Sequence, residues 1–148
     1  MEDLRIILFV ENDPRDVELT LEALAEHNLA NRVRVLCDGA EAMEYLRYEG
    51  KFKTRKKEIP AVMLLDIKMP RMDGFEVLAA IRSEENLKML PVVMLSSSKE
   101  EADLKKSYAL GANAYVVKPV DFKDFMEAIK KIGIFWAMIN EIPPELEI

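Results

Sequence analysis

Four short stretches of this chain carry side chains that together suggest one chemistry. Glu11-Asn12-Asp13 follows an apolar run at Ile6–Val10, and Asp66 closes another at Ala61–Leu65. Ser96-Ser97-Ser98 follows a run at Val92–Leu95, and Lys118-Pro119 follows one at Ala114–Val117. A carboxylate can attack a phosphoryl group and form an acyl phosphate. The obstacle is charge, because an anion must approach an anion. A divalent cation held by oxygen ligands removes that repulsion and orients the phosphoryl oxygens. A lysine adds a compact, mobile positive donor, and a hydroxyl can donate a hydrogen bond to a phosphoryl oxygen. Catalysis by such a set is positioning and electrostatics, and Asp66 is its best nucleophile. Singly, each residue has a plain structural use: Asp13 and the serines as helix caps, Lys118 as a surface lysine. Their placement at the ends of successive runs is harder to explain that way.

These stretches need elements to hold them. Runs of this length rich in Val and Ile read as strands, and continuous ones as strands buried on both faces. A fifth, at Arg32–Leu36, alternates, with Val33 and Val35 on one side. Helical stretches lie between. Asp13-Pro14 opens one, with an N-cap acid and then proline at the first helical position; Val17, Leu21, Leu24 and Ala25 share its apolar face. Ala40, Met43, Tyr45 and Leu46 suggest a second, and Phe75, Leu78, Ala79 and Ile81 a third. Ser98 with Glu101 forms a capping box for a fourth, which Gly111 ends. Asp121 with Asp124 opens a fifth that continues to Ile139. Strand and helix alternate five times, which implies a parallel sheet covered on both faces with right-handed crossovers. Ligands of such sheets bind at the carboxyl ends of the strands, where strand order reverses.

The sequence resembles the receiver domain of response regulators. The pieces that carry the resemblance are Phe9-Val10-Glu11-Asn12-Asp13-Pro14, Leu64-Leu65-Asp66-Ile67-Lys68-Met69-Pro70 with Met72-Asp73-Gly74, Val93-Met94-Leu95-Ser96-Ser97-Ser98 and Tyr115-Val116-Val117-Lys118-Pro119. The resemblance implies the flavodoxin-like α/β fold of chemotaxis receivers, a doubly wound five-stranded sheet in order 2-1-3-4-5 with five helices. It makes Asp66 the phosphoacceptor and Lys118 the essential lysine. Ser96 becomes the switch hydroxyl and Tyr115 the switch aromatic coupled to it. Glu11 and Asn12 take the acidic-pair positions that bind magnesium, with the backbone carbonyl of Lys68 on the same ion. The side chains of Lys68 and Ser98 sit where relatives tune the lifetime of the acyl phosphate, and the Lys118–Pro119 bond is usually cis in relatives. One position departs from the pattern: the second acid is Asn12, which offers a carbonyl oxygen without charge. The expectation is that Asn12 still ligates, that Glu11 does so through water, and that magnesium binds less tightly; the rival is Asp13 as a direct ligand.

A narrower resemblance is to stand-alone receivers paired with bacterial phytochrome-type histidine kinases. It rests on Asp16-Val17-Glu18-Leu19-Thr20-Leu21-Glu22-Ala23-Leu24, on a basic loop with Lys51, Lys53, Arg55, Lys56 and Lys57, and on Ile132-Gly133-Ile134-Phe135-Trp136 with a proline-bearing tail. The implied function is a signalling phosphoacceptor and not an enzyme with a substrate of its own. Its partner would be a sensor histidine kinase, and its output phosphorylation-dependent protein contact. The alternative is a degenerate receiver that acts as an interaction module without phosphorylation, for which Asn12 is the only support. A haloacid dehalogenase-type phosphatase would place its nucleophile after the first strand, and a flavodoxin would carry a Ser/Thr/Gly loop there; this chain has neither.

The bulk properties bound the rest. The 148 residues carry a formal charge of -6, and an acidic surface argues against sequence-independent nucleic-acid binding. No apolar run reaches membrane-spanning length, Glu2 and Asp3 are unlike a secretory leader, and Cys37 is the only cysteine. The expectation is one cytoplasmic receiver domain over residues 1–148, with its core at about 4–139, a tail from 140 and no effector domain. In the last helix Phe122, Phe125, Met126, Ile129, Ile132 and Trp136 can fill the stripe that faces the sheet. Ile134, Phe135 and Met138 fall largely off it, and surplus aromatic and Met surface predicts a homodimer through this helix. His27 reads as a helix-end histidine, far from the strand-end rim.

Overall fold

The structure is a computed structural model, and it describes residues 5–26, 28–58 and 60–142. His27 and the prolines of the tail, Pro143 and Pro144, lie outside the described residues. One parallel sheet runs in the order β2-β1-β3-β4-β5. Its strands are β1 (Ile6–Val10), β2 (Val33–Leu36), β3 (Pro60–Leu65), β4 (Val92–Ser96) and β5 (Ala114–Val117). The helices between and after them are α1 (Pro14–Ala25), α2 (Gly39–Arg47), α3 (Gly74–Ser83), α4 (Glu101–Ala109) and α5 (Phe122–Ile134), and α5 widens into a π turn at Phe135–Ile139. This is the expected doubly wound arrangement. No described helix is long and apolar enough to cross a membrane.

The period of two along each strand splits the core into two layers. Ile7, Phe9, Val62, Leu64, Val93 and Leu95 face α1 and α5, where Leu24, Phe125 and Ile129 meet them. Leu8, Val10, Met63, Leu65 and Met94 face the other way, onto Met43, Leu46, Val77, Leu78 and Ile81 of α2 and α3. β1, β3 and β4 are buried throughout, which is why their sequences are continuously apolar. Each of these large side chains contributes about 1.5–3 kcal/mol by leaving water. β2 is an edge strand with Arg34 exposed, hence its alternation.

Local signals mostly act as expected. Asp13 caps α1, its carboxylate accepting from the Arg15 N–H at 2.9 Å, with Pro14 at the first helical position. Gly111, at φ +102, follows the end of α4. Four details differ. Ser98 does not cap α4: its hydroxyl donates to Asp103 at 2.7 Å and accepts from the Glu100 N–H at 3.2 Å, so the helix starts after Glu100 with no side-chain cap. In α1 the buried positions are Thr20, Ala23 and Leu24, and Ala25 is exposed. Phe122 is 58% exposed, because as the first residue of α5 it stands over the strand-end rim beside Val120 and not over the sheet. Among the described residues no peptide bond is cis, so Lys118–Pro119 is trans, the ordinary form of an X–Pro bond.

Candidate functional site

The sheet's register brings the chemistry together. Val10 pairs with Leu65 across β1 and β3, and Leu65 with Met94 across β3 and β4. β1 and β3 are followed directly by the carboxylates Glu11 and Asp66, and β4 ends on Ser96 with Ser97 after it. The backbone extends the ladder past the strand ends, with Asp66 N–H donating to Val10 O at 3.2 Å and Lys118 N–H to Ser96 O at 2.7 Å. The chain crosses between sheet faces beside β1 and β3, so this rim is where the strand order reverses.

Lys118 is the hub. Its side chain is only 11% exposed, and its ammonium donates to the carboxylate of Glu11 and to Asp16 Oδ2 at 2.9 Å and lies 3.6 Å from Asp66 Oδ2. Glu11 is almost fully buried and Asp66 is 9% exposed. Burial pushes the Glu11 carboxyl up to about 7, against the hydrogen bond from Lys118 and with help from the charge of Asp66. Burial also pulls Lys118 down, but its hydrogen bonds to Glu11 and Asp16 and the charge of Asp66 outweigh that, and it titrates above the usual lysine range. The carboxylates are held from behind as well. Asp66 Oδ1 accepts from the Ile67 N–H at 2.9 Å, and Glu11 Oε2 from the Asp13 N–H at 3.3 Å.

Of the other predicted residues, some surround this cluster and others lie apart from it. Ser96 is buried, and its Oγ accepts from the Ser98 N–H at 3.2 Å. The Tyr115 hydroxyl donates to Ser98 O at 2.9 Å, so one residue of the β4–α4 loop ties the Ser96 hydroxyl to the Tyr115 ring. Asn12 is exposed and lines both the cleft over Asp66 and a shallower groove with Lys68 and Asp103. Lys68 is exposed in that groove. Asp13 is committed to capping α1. Ser97, not Ser98, lines the cleft over Asp66. Ile134, Phe135 and Met138 belong to the last turns of α5, with Phe135 45% and Met138 55% exposed. Cys37 is exposed.

Asp16 is the site residue that motif reasoning missed. Its signal was present, since it lies one helical turn after the cap residue Asp13 and therefore on the same side of α1 as the rim. The capping box of α3 was also missed. Asp73 accepts from the Glu76 N–H at 2.8 Å and Glu76 from the Asp73 N–H at 3.2 Å, which fixes the chain just beyond Asp66.

The donor set suits a hard divalent cation. One ammonium faces three carboxylates in a mostly buried cluster, and that excess of negative charge calls for a further cation. Among the described residues no three His, Cys, Asp or Glu side chains form a metal cage. A cation here would rest on Glu11 and Asp66 with neutral oxygens of Asn12 and of the backbone, which is oxygen chemistry of the magnesium type.

Comparison with known proteins agrees with this geometry. Residues 7–130 match the response regulator receiver domain family. The chain is a response regulator receiver domain. Over 95% of its length it superposes on 99% of the phosphorylated cyanobacterial phytochrome response regulator RcpA, at 38% identity and a TM-score of 0.88. The Mn(2+)-bound form of Rcp1 shares 34% identity over 94% of this chain and 99% of its own, with a TM-score of 0.86. Rcp1 is a response regulator of Synechocystis sp. (strain ATCC 27184 / PCC 6803 / Kazusa). The bacteriophytochrome response regulator RtBRR is 56% identical over 97% of this chain and 87% of its own, with a TM-score of 0.75. The receiver is thus homologous to phytochrome-associated response regulators.

Proposed function

We propose that this receiver accepts a phosphoryl group on Asp66 from a sensor histidine kinase of the phytochrome type and signals through the resulting change of surface. The observation that carries the reading is the approach of one buried ammonium, Lys118, to both Glu11 and Asp66 at the reversal point of the sheet. In the transfer, an Asp66 carboxylate oxygen forms a bond to phosphorus as the phosphorus–nitrogen bond of the donor phosphohistidine breaks and the imidazole leaves. Lys118 holds positive charge where the phosphoryl oxygens arrive, and the Ile67 N–H fixes the other Asp66 oxygen. Glu11, Asp66, Asn12 and the Lys68 carbonyl would hold magnesium, which would supply the charge neutralisation that two approaching anions require. Ser96 donates its hydroxyl to the phosphoryl group on leaving the Ser98 N–H. Tyr115, bonded to the same residue, then loses its anchor, and the surface formed by α4, β5 and α5 changes. In this reading the side chains of Lys68, in the adjoining groove, and of Ser98, next to the Ser97 that lines the cleft, tune the lifetime of the acyl phosphate.

The protein turns over no substrate of its own in this reading, and it acts in the cytoplasm. The exposed Phe135, Met138 and Ile139 support a homodimer through the end of α5, to which Ile134 contributes. Sedimentation tests this: Phe135→Asp shifts a dimer to monomer, and a wild type that stays monomeric at high concentration counts against it.

The test of function is magnesium-dependent labelling by a small acyl phosphate and by a phytochrome-type kinase. Labelling is expected in the wild type and lost in Asp66→Asn. A wild type that takes no label from either donor overturns the reading and favours a phosphorylation-independent interaction module.

A further inference from the structure

The Lys118 ammonium has three N–H donors, and it spends them unevenly. Glu11 and Asp16 are within hydrogen-bond distance, whereas Asp66 Oδ2, at 3.6 Å, lies beyond it. Asp16 belongs to the first turn of α1, so the lysine that follows β5 is tied to a helix as well as to the strand ends. Counted by side chain alone, Asp16 is 21% exposed, against 11% for Lys118 and 12% for Asp66. It is the most solvated of the partners and the one whose loss leaves the fewest groups stranded. Its charge also adds to that of Glu11 and Asp66 in the cleft that the phosphoryl group must enter.

We propose that Asp16 is a positioning residue that restrains the Lys118 ammonium toward α1, so that phosphorylation of Asp66 has to draw the lysine away from Asp16. The inference rests on the phosphoacceptor reading above and deepens it. Phosphorylation of Asp66 raises the negative charge opposite the ammonium and brings new oxygens toward it. Those oxygens compete with Asp16 for the same N–H groups. The resting contact therefore sets a threshold: the lysine serves the phosphoryl group only as far as the Asp16 bond yields. It also couples the site to α1, because the helix loses an ionic tie to β5 when the lysine moves. Asp16 stands three residues after the cap that follows Asn12. The acid that the metal pair lacks is thus present in the neighbourhood, but directed at the lysine.

The test uses the full chain with magnesium and beryllofluoride, a non-covalent stand-in for the phosphoryl group, read by fluorine NMR. Asp16→Asn keeps an acceptor and removes the charge; it is expected to bind beryllofluoride about two- to fivefold more tightly, the scale of a partly exposed ion pair. Asp16→Glu, which keeps the charge, is expected to stay within about twofold of the wild type. The nitrogen resonance of the Lys118 ammonium should move in unliganded Asp16→Asn, which a merely structural role for Asp16 would not require. Asp16 is partly solvated at the start of a helix, so both variants are expected to fold, checked by thermal melts. Unchanged or weaker beryllofluoride binding in folded Asp16→Asn, with the wild type binding normally, overturns this inference alone. A wild type that binds no beryllofluoride overturns the phosphoacceptor reading and this inference with it.

Discussion

Gly74 presses its backbone against the carbonyl of Asp66: a Cβ at position 74 would stand 2.3 Å from that oxygen and 2.9 Å from the Ile67 Cα. Both neighbours are backbone, so neither can swing aside. The contact is reinforced by the Gly74 N–H, which donates to Ile67 O at 2.8 Å. The first residue of α3 thus sets the position of the loop that carries Asp66. Gly74→Ala is expected to destabilise the fold by about 1–3 kcal/mol, as for an overpacked core, and to slow labelling of Asp66 in whatever fraction remains folded. Denaturant melts with a parallel labelling time course measure both. A variant with wild-type stability and rate would show that this approach is not limiting.

Asp38 gives a pH dependence with a definite sign. Its carboxylate caps α2 by accepting from the Glu41 N–H at 2.8 Å, and it receives two 2.9 Å hydrogen bonds from the Arg71 guanidinium. The hydrogen bond from Arg71 holds Asp38 below the usual aspartate range. A depressed folded value means that the unfolded chain takes up the proton first. The stability from ionised Asp38 is therefore fully present above about pH 4 and lost as pH falls through the folded value. Asp38→Ala is expected to cost about 1 kcal/mol at pH 7 through loss of the cap. That difference from the wild type should shrink below about pH 4. Urea melts of both proteins at pH 7 and pH 3 measure it, and a difference that does not change with pH contradicts the assignment.

The basic loop before β3 has a physical anchor in Arg55. Its guanidinium lies 3.9 Å from the Tyr45 ring and 3.8 Å from the Tyr48 ring, and its Nε donates to Tyr45 O at 2.8 Å. Lys51, Lys53, Lys56 and Lys57 remain largely in solvent. Arg55→Lys keeps the charge but loses the planar stack. It is expected to destabilise by about 0.5–2 kcal/mol, the range of cation–π contacts, and to raise amide exchange across residues 50–58 without affecting labelling of Asp66. Exchange unchanged in that segment would show that the stack does not hold the loop.

The strand boundaries and the central trio Asp66, Glu11 and Lys118 were legible because each depends on short, local patterns, whereas the sheet order came only from the resemblance that those motifs carry. A buried parallel strand is continuously apolar, and its polar successor marks the rim. What the sequence concealed lies between elements. Whether Lys118 turns to Asp16 depends on how α1 packs beside α5 and so over the strand-end rim, and no local motif records that. Ser98 satisfied a capping pattern with Glu101, yet its hydroxyl is taken by Asp103, and the helix begins only after Glu100. Phe122 matched the helical stripe by periodicity alone, but the first residue of a helix can stand clear of the sheet that the rest of the helix covers.

Asn12 carries the last prediction, on metal affinity. In the proposed site the cation rests on two carboxylates, Glu11 and Asp66, and the neutral amide of Asn12 stands where a second acid of the pair is usual. Affinity for hard cations rises with ligand charge, and the cluster already holds one competing cation, Lys118, against Glu11. Asn12→Asp is therefore expected to tighten magnesium binding by about two- to fivefold, an increment of roughly one exposed charge. Calorimetric titration of both proteins with magnesium reads it directly. Equal affinities would show that position 12 lies outside the coordination shell. Asp13→Ala separates the rival ligand: as a helix cap, Asp13 should cost stability on removal and leave magnesium affinity unchanged. A large loss of affinity in that variant would assign the second acidic ligand to Asp13.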